Sequence, residues 1–277
     1  MTEIRRMRPL LGTFVEVGVD ADGQASAQAA IDAAFEAIAH VHRRLSFHEP
    51  DSDLTRLNRS RGEAVALHPM SLRVLRLAKV MMKASGERFD VTIGGALVRR
   101  GALPDTTGGP LLEQGEADDL QLAGGTAALR RPVRITLDGI AKGYAVDLAV
   151  DALRSRGIQA GWVNAGGDLR AFGACQLPVQ RREADRSLTT LGELRDAAIA
   201  TSQSGGDQAP WNPDLPAIIV GQRHRVRQGV VSVLARRAWR ADALTKVACL
   251  AADEERGPLL QRLGGLLVAP PLVGAAA

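Results

Sequence analysis

Across residues 135–147, ITLDGIAKGYAVD, an apolar run gives way to helical spacing, and the change falls at a lysine set between Gly139 and Gly143. The two periodicities cannot share one element, so the stretch reads as an apolar strand, a glycine turn and a helix that stops at Gly157. Such a joint leaves several backbone N–H groups unpaired and pointing one way, at a helix start that carries about half a positive charge. Gly139 and Gly143 remove side chains that would block a close approach, and Lys142 adds a full charge. The expected guest is a phosphate or diphosphate. Glycine-bearing joints of this kind are equally a packing device, and the stretch alone does not decide between the two.

The rest of the chain is organised around this joint. Leu11 to Val19 alternates as a half-buried strand, and Asp20 and Asp22 are placed to cap the next helix. From Ala25 to Leu45, Ile31, Phe35, Ile38, Val41 and Leu45 recur at spacings of three and four, which predicts an amphipathic helix. His40 and His42, two apart, point to different faces and read as core or surface histidines rather than a metal pair. HEPDSDLTRLNRSRG reads as a polar loop with a helical turn, and Ser71 to Gly86 as a second helix. Residues 102–130 are rich in Gly, Asp, Thr and Pro and are expected to form an exposed excursion. AGWVNAGGDLRAFG comes next as strand, double-glycine turn and strand. After a charged connection come strands at AAIATSQSGG and GVVSVLA and a helix at ADALTKVACLAAD. Residues 1–265 are expected to form one domain, with 266–277 a frayed tail.

Composition removes several classes. Of 277 residues, 35 are Lys or Arg and 31 are Asp or Glu, so the net charge is only +4. The basic residues fall in pairs such as Arg5-Arg6, with almost no aromatics between them, so nucleic acid is not an expected partner. Cys175 and Cys249 are far apart, in no CxxC pattern, and are expected as buried thiols. No signal peptide or spanning helix is visible, and a cytoplasmic location is expected. There is no GxxxxGK[ST], and no two glycines are separated by a single residue, which excludes the dinucleotide GxGxxG.

Two further turns share the theme of the first. NAGGD offers Asn164 and Asp168 around Gly166-Gly167, and FDVTIGG sets Asp90 and Thr92 beside Gly94-Gly95. Three glycine-paired polar turns at the ends of apolar runs point to one ligand lined by several loops. Asp242 supplies a carboxylate at an expected helix start. It serves either as a plain N-cap or, beside a diphosphate, as a ligand for Mg²⁺, which favours one or two carboxylates plus phosphate oxygens.

Taken in order, LLGTFVEV, PDSDLTRLN, GERFDVTIGGAL, LDGIAKGYAVD, WVNAGGDLRAFG, ATSQSG and RADALTKVA resemble the ApbE family of flavin transferases, over most of residues 7–250. The resemblance implies an α+β fold with mixed sheets and packed helices. It implies FAD as flavin donor and transfer of FMN, with loss of AMP, to a threonine or serine of an acceptor flavoprotein subunit. It also implies Mg²⁺ held by the Ala141 carbonyl and Asp242. Leu11, His48, Phe89 and Asp90 fall where the family touches flavin or adenine, and in that chemistry Lys142 is expected to help hold the leaving phosphate. The chemistry would be metal-assisted phosphoryl transfer, with Lys142 and Asp242 as its active groups.

Three departures from the family pattern bear on activity. AIIVG at 217–221 stands where the family carries His-Ile-x-Asp-Pro, so Ala217 and Val220 replace the histidine and aspartate. His224 lies nearby without a reason to take over. The family places Thr four residues after the metal aspartate; here Lys246 holds that position and Thr245 sits one earlier. Either Thr245 still reaches the metal, since positions three and four on share a helix face, or the Lys246 ammonium takes a cation's place and Mg²⁺ dependence weakens. Leu11 and His48 replace Met and Tyr. Two alternatives to transfer stay open: hydrolysis of FAD to FMN and AMP, and flavin binding without catalysis.

Overall fold

The computed structural model describes residues 2–21, 23–105, 109–204, 219–221 and 223–269. Its centre is a seven-stranded sheet in the order β1-β2-β6-β7-β10-β11-β12, antiparallel at every pairing. These strands are β1 (Thr2–Leu10), β2 (Thr13–Ala21), β6 (Gly161–Ala165), β7 (Asp168–Phe172), β10 (Ala198–Ser204), β11 (Gly229–Ala235) and β12 (Gly265–Leu267). A three-stranded sheet joins β3 (Val65–Ala66), β5 (Thr126–Leu129) and β4 (Leu120–Ala123), and β8 (Gln176–Arg182) pairs with β9 (Leu188–Arg195). The helices are α1 (Gln24–Leu45), α2 (Asp53–Asn58), α3 (Pro69–Ala84), α4 (Gly94–Arg99), α5 (Ala141–Ser155), α6 (Ala238–Leu250) and α7 (Asp253–Arg262). The fold is the mixed α+β arrangement expected. No helix among the described residues is long and apolar enough to cross a membrane.

The central strands β6 and β7 are buried almost throughout. On one face lie α1 and α5, whose apolar stripes join Val15, Val17 and Val163 in the main core. Five large side chains of α1 (Ile31, Phe35, Ile38, Val41 and Leu45) are buried there, each stabilising by roughly 1.5–3 kcal/mol. The other face, with Trp162, Leu169 and Ile199, is covered by Leu177, Val179, Leu191 and Leu194. The charged connection is thus a β8–β9 hairpin that lids the sheet. Leu177, Val179, Leu191 and Leu194 face the sheet and Arg182, Glu193 and Arg195 are exposed, while Arg181 is a charge buried on this hairpin.

Several expectations need correction. Gly23, not Asp20 or Asp22, stands at the N-cap of α1 and makes no side-chain bond; Asp20 belongs to β2, and Asp22 lies outside the described residues. Residues 102–130 are no simple excursion, since they hold β4 and β5 and bury Leu103, Leu120 and Leu129 in the main core. The apolar run 135–137 is buried but joins no sheet. The Asn58 amide brackets Ile135, accepting from its N–H at 2.8 Å and donating to its carbonyl at 2.9 Å, while Thr136 N–H donates to the Val91 carbonyl at 2.8 Å. The tail reading fails at its start, because β12 pairs Leu266 and Leu267 with β11; residues 270–277 lie outside the described residues. Cys249 is buried, but Cys175 is only half-buried.

Candidate functional site

Strand register decides which loops meet. Leu11 and Gly12 form the β1–β2 tip, and the pairing of Val15 with Ala165 sets that tip beside the β6–β7 tip at Gly166-Gly167. β10 pairs Ala198 with Arg170 and Ile199 with Leu169, so Thr201 to Ser204 continue past Asp168 at the same end of the sheet. α1 returns to this end as well, for His42 in its last turn lines a groove with Pro9, Leu10, Leu11 and Thr13. His48 comes shortly after and is exposed. The structure therefore gathers Leu11, His48 and the Asn164–Asp168 turn at one end of the sheet.

The turns themselves are built for local reasons. Gly166 (φ +62°) and Gly167 (φ +101°) make the two-residue hairpin loop that only positive φ allows, and Asn164 Oδ1 accepts from Gly167 N–H at 3.0 Å. Asp90 Oδ1 accepts from the Thr92 N–H (2.7 Å) and hydroxyl (2.6 Å), while its Oδ2 accepts from Gln114 Nε2 at 2.6 Å. Thr92 is wholly buried, and its oxygen accepts from Gly115 N–H at 2.9 Å. Asp90 and Thr92 thus tie the 113–116 segment to the core, and their polar atoms are already engaged. Phe89 is buried against Gly139: an added Cβ there would lie 3.2 Å from its ring.

The charged centre lies at the start of α5. Lys142, in the first turn, places Nζ 3.3 Å from Asp168 Oδ2. Asp168 is the first residue of β7 and is buried, and apart from Lys142 its Oδ2 has no polar partner among the described residues. Burial first, and then repulsion from Asp242, push its carboxyl up to about 6 against the pull of Lys142 and Lys246. The field of Asp168 holds the Lys142 ammonium well above its ordinary value, against the cost of burial. Two carboxylates and two ammoniums thus share one electrostatic neighbourhood.

Asp242 does not cap its own helix. It lies in the second turn of α6, wholly buried, and Oδ2 accepts from the Gly143 N–H at 3.1 Å, so it caps α5 from outside. Its Oδ1 is held by the Lys246 ammonium one helical turn on. The reverse contact also exists. Asp147 of α5 accepts from the first amides of α6, Ala238 N–H (3.2 Å) and Trp239 N–H (3.0 Å), and pairs with Arg170 Nη1 at 2.7 Å. Gly143 serves this joint rather than leaving room for a ligand: a Cβ would meet the Ala238 carbonyl oxygen at 2.3 Å. Sequence reasoning did not single out Asp147, Arg170, Asn58 or Ser202.

A divalent ion does not fit the donor set in this arrangement. Both Asp242 oxygens are engaged, one by an amide and one by an ammonium, and a second cation at Oδ1 would face Lys246 directly. The Thr245 hydroxyl donates to the Asp242 carbonyl at 2.7 Å and lies 2.7 Å from the Ser202 hydroxyl. Ala141 opens α5, so its carbonyl falls in the helical pattern. Of the departing stretch, Val220 is buried, Ala217 lies outside the described residues, and His224 Nε2 is 3.2 Å from the Gly86 carbonyl, beyond the end of α3.

Comparison with known proteins adds an independent line. A curated FAD:protein FMN transferase of Vibrio cholerae serotype O1 is 29% identical over 185 residues, a stretch that takes in 60% of this chain and 55% of that protein. The flavinyl transferase ApbE of Pseudomonas stutzeri superposes with a TM-score of 0.77 at 20% identity, over 98% of this chain and 95% of that one. The flavin transferase ApbE of Vibrio cholerae gives 0.76 at 22% identity, over 98% and 97%. The ApbE protein of Thermotoga maritima gives 0.76 at 21%, over 96% and 93%. These structures share the fold. The ApbE family model matches residues 11–268, from the β1–β2 tip to the end of β12, and the chain belongs to the ApbE family.

Proposed function

We propose that this chain is an FAD:protein FMN transferase, which holds FAD at the N-terminal end of α5 and passes FMN to a threonine or serine of an acceptor flavoprotein subunit. The observation that carries this reading is the Lys142–Asp168 pair, an ammonium at a helix start 3.3 Å from a buried carboxylate oxygen that has no other polar partner among the described residues. The reaction is a displacement at phosphorus. The acceptor hydroxyl oxygen bonds to the FMN-side phosphorus, the bond from that phosphorus to the bridging oxygen breaks, AMP leaves with that oxygen, and the hydroxyl proton passes to solvent. Nothing is oxidised or reduced.

The chain's contribution is charge and position. Lys142 and the start of α5 hold diphosphate oxygens. Phe89, packed on Gly139, gives an apolar wall, and Leu11, His48 and the Asn164–Asp168 turn border the site from the sheet end. Because Asp242 is already paired on both oxygens, it is not free to hold Mg²⁺.

The test combines purified chain, FAD and an acceptor domain bearing a target threonine, and tracks AMP and acceptor mass together. AMP with an FMN-sized gain in acceptor mass supports transfer. AMP without that gain identifies hydrolysis of FAD, and FAD binding without AMP identifies a flavin-binding protein; either result overturns the transferase reading.

A further inference from the structure

The Lys246–Asp242 pair is not an ordinary helix-surface ion pair. Surface i,i+4 pairs are solvated at both ends and are worth a few tenths of a kcal/mol. Here Asp242 is 0% exposed and the Lys246 side chain only 22%. Its stem lies along Gly139, with Cε 3.5 Å and Cγ 3.6 Å from where a Cβ would stand, so the ammonium is delivered from α6 to the N-terminal turn of α5. The adjacent hydroxyl, Thr245, is turned to the Asp242 carbonyl and Ser202. Lys142 approaches the same neighbourhood from α5, through Asp168.

We infer that Lys246 is the resident cation of this site: its ammonium occupies the place on Asp242 that a divalent metal would need, and FAD is bound through two lysines without a divalent ion. The inference rests on the reading that the α5 start receives the FAD diphosphate. Asp168 and Asp242 already balance Lys142 and Lys246, so the two negative charges of a diphosphate diester are met by hydrogen bonds from the two ammoniums and the start of α5 rather than by a net positive charge. An ammonium also donates hydrogen bonds to phosphate oxygens directly, which keeps the site functional when no metal is available.

The experiment has two arms on the full chain. In the first, Mn²⁺ is used as the probe for a Mg²⁺ site, and uptake is read from the loss of the free-ion paramagnetic resonance signal. The wild type is expected to take up no stoichiometric Mn²⁺, whereas Lys246→Thr, with Asp242 Oδ1 released, takes up one equivalent. In the second, FAD affinity is measured by flavin fluorescence in EDTA and in millimolar Mg²⁺. The wild type is expected to agree between the two media within about twofold, Lys246→Met to bind about tenfold more weakly in both, and Lys246→Thr to recover only with Mg²⁺. Stoichiometric Mn²⁺ uptake by the wild type, or loss of its FAD affinity by about tenfold in EDTA, would overturn the inference. Both decisive measurements use unmodified protein, so a variant that fails to fold does not rescue it. Absence of FAD binding in both media would refute the FAD reading instead, and the Mn²⁺ arm would still decide whether Lys246 excludes the metal.

Discussion

Asp147 sits in the interior with three hydrogen-bond partners, and its removal gives a worked test of what holds α5 and α6 together. In Asp147→Ala, Arg170, whose side chain is 6% exposed, loses its 2.7 Å partner, and two amides at the start of α6 lose their acceptor. Leaving one member of a buried pair uncompensated costs about 3–5 kcal/mol, and loss of a cap about 1 kcal/mol more. Asp151 lies 3.8 Å from Arg170 and takes over part of the pairing, so the lower end applies and the expected loss, cap included, is about 4 kcal/mol. Urea unfolding monitored by tryptophan fluorescence measures it. With a slope of about 3 kcal/mol per molar for a chain of this size, the midpoint falls by about 1.3 M. The double change Asp147→Leu with Arg170→Met removes both charges and should recover most of the loss. A midpoint shift below about 0.3 M for Asp147→Ala, or a double variant no more stable than the single one, would refute the reasoning.

Other perturbations test the same geometry. Asn58→Ala strands the buried N–H and carbonyl of Ile135 and is expected to cost about 2–3 kcal/mol, seen as a Tm lower by about 5–10 °C in calorimetry. Gly143→Ala drives a methyl into the Ala238 carbonyl, costs about 1–3 kcal/mol and weakens FAD binding, because the amide that Asp242 holds moves with it; titration calorimetry with FAD reads the second effect. Asp119 is wholly buried: burial raises its carboxyl, but the Arg131 fork and the Glu116 amide outweigh that and hold it below the usual range. A depressed folded value stabilises the chain above the unfolded pKa of about 3.9, and that stability is lost as pH falls through the lower folded value. Asp119→Asn should therefore flatten the acid limb of the stability curve below about pH 4, measured by urea midpoints across pH.

Periodicity made the layered elements legible. Apolar spacing located α1 and α3 within a residue or two, and the AGWVNAGGDLRAFG hairpin appears as β6, the Gly166-Gly167 tip and β7. What stayed hidden depends on contacts between distant segments. The run ITL has strand composition, but Ile135 is held by one side chain 77 residues away and the Thr136 N–H by the Val91 carbonyl, which no local pattern encodes. Gly143 reads as room for a ligand because sequence cannot show that Ala238 fills that room. Asp242 reads as a cap for the helix it opens, whereas it caps the neighbouring one. Asp147 carried a readable signal, a carboxylate on the otherwise uncharged buried face of α5. A charge in that position needs a partner, and asking for it would have pointed to Arg170.

The exchange of carboxylates between α5 and α6 gives the site a mutual dependence. Each helix begins on an acceptor that the other supplies, Asp242 for Gly143 and Asp147 for Ala238 and Trp239. Neither start is complete while the two helices are apart, so no half-assembled form of the chain presents a finished anion platform. The platform is a property of the docked pair, and a sequence change at either helix start is inherited by the other.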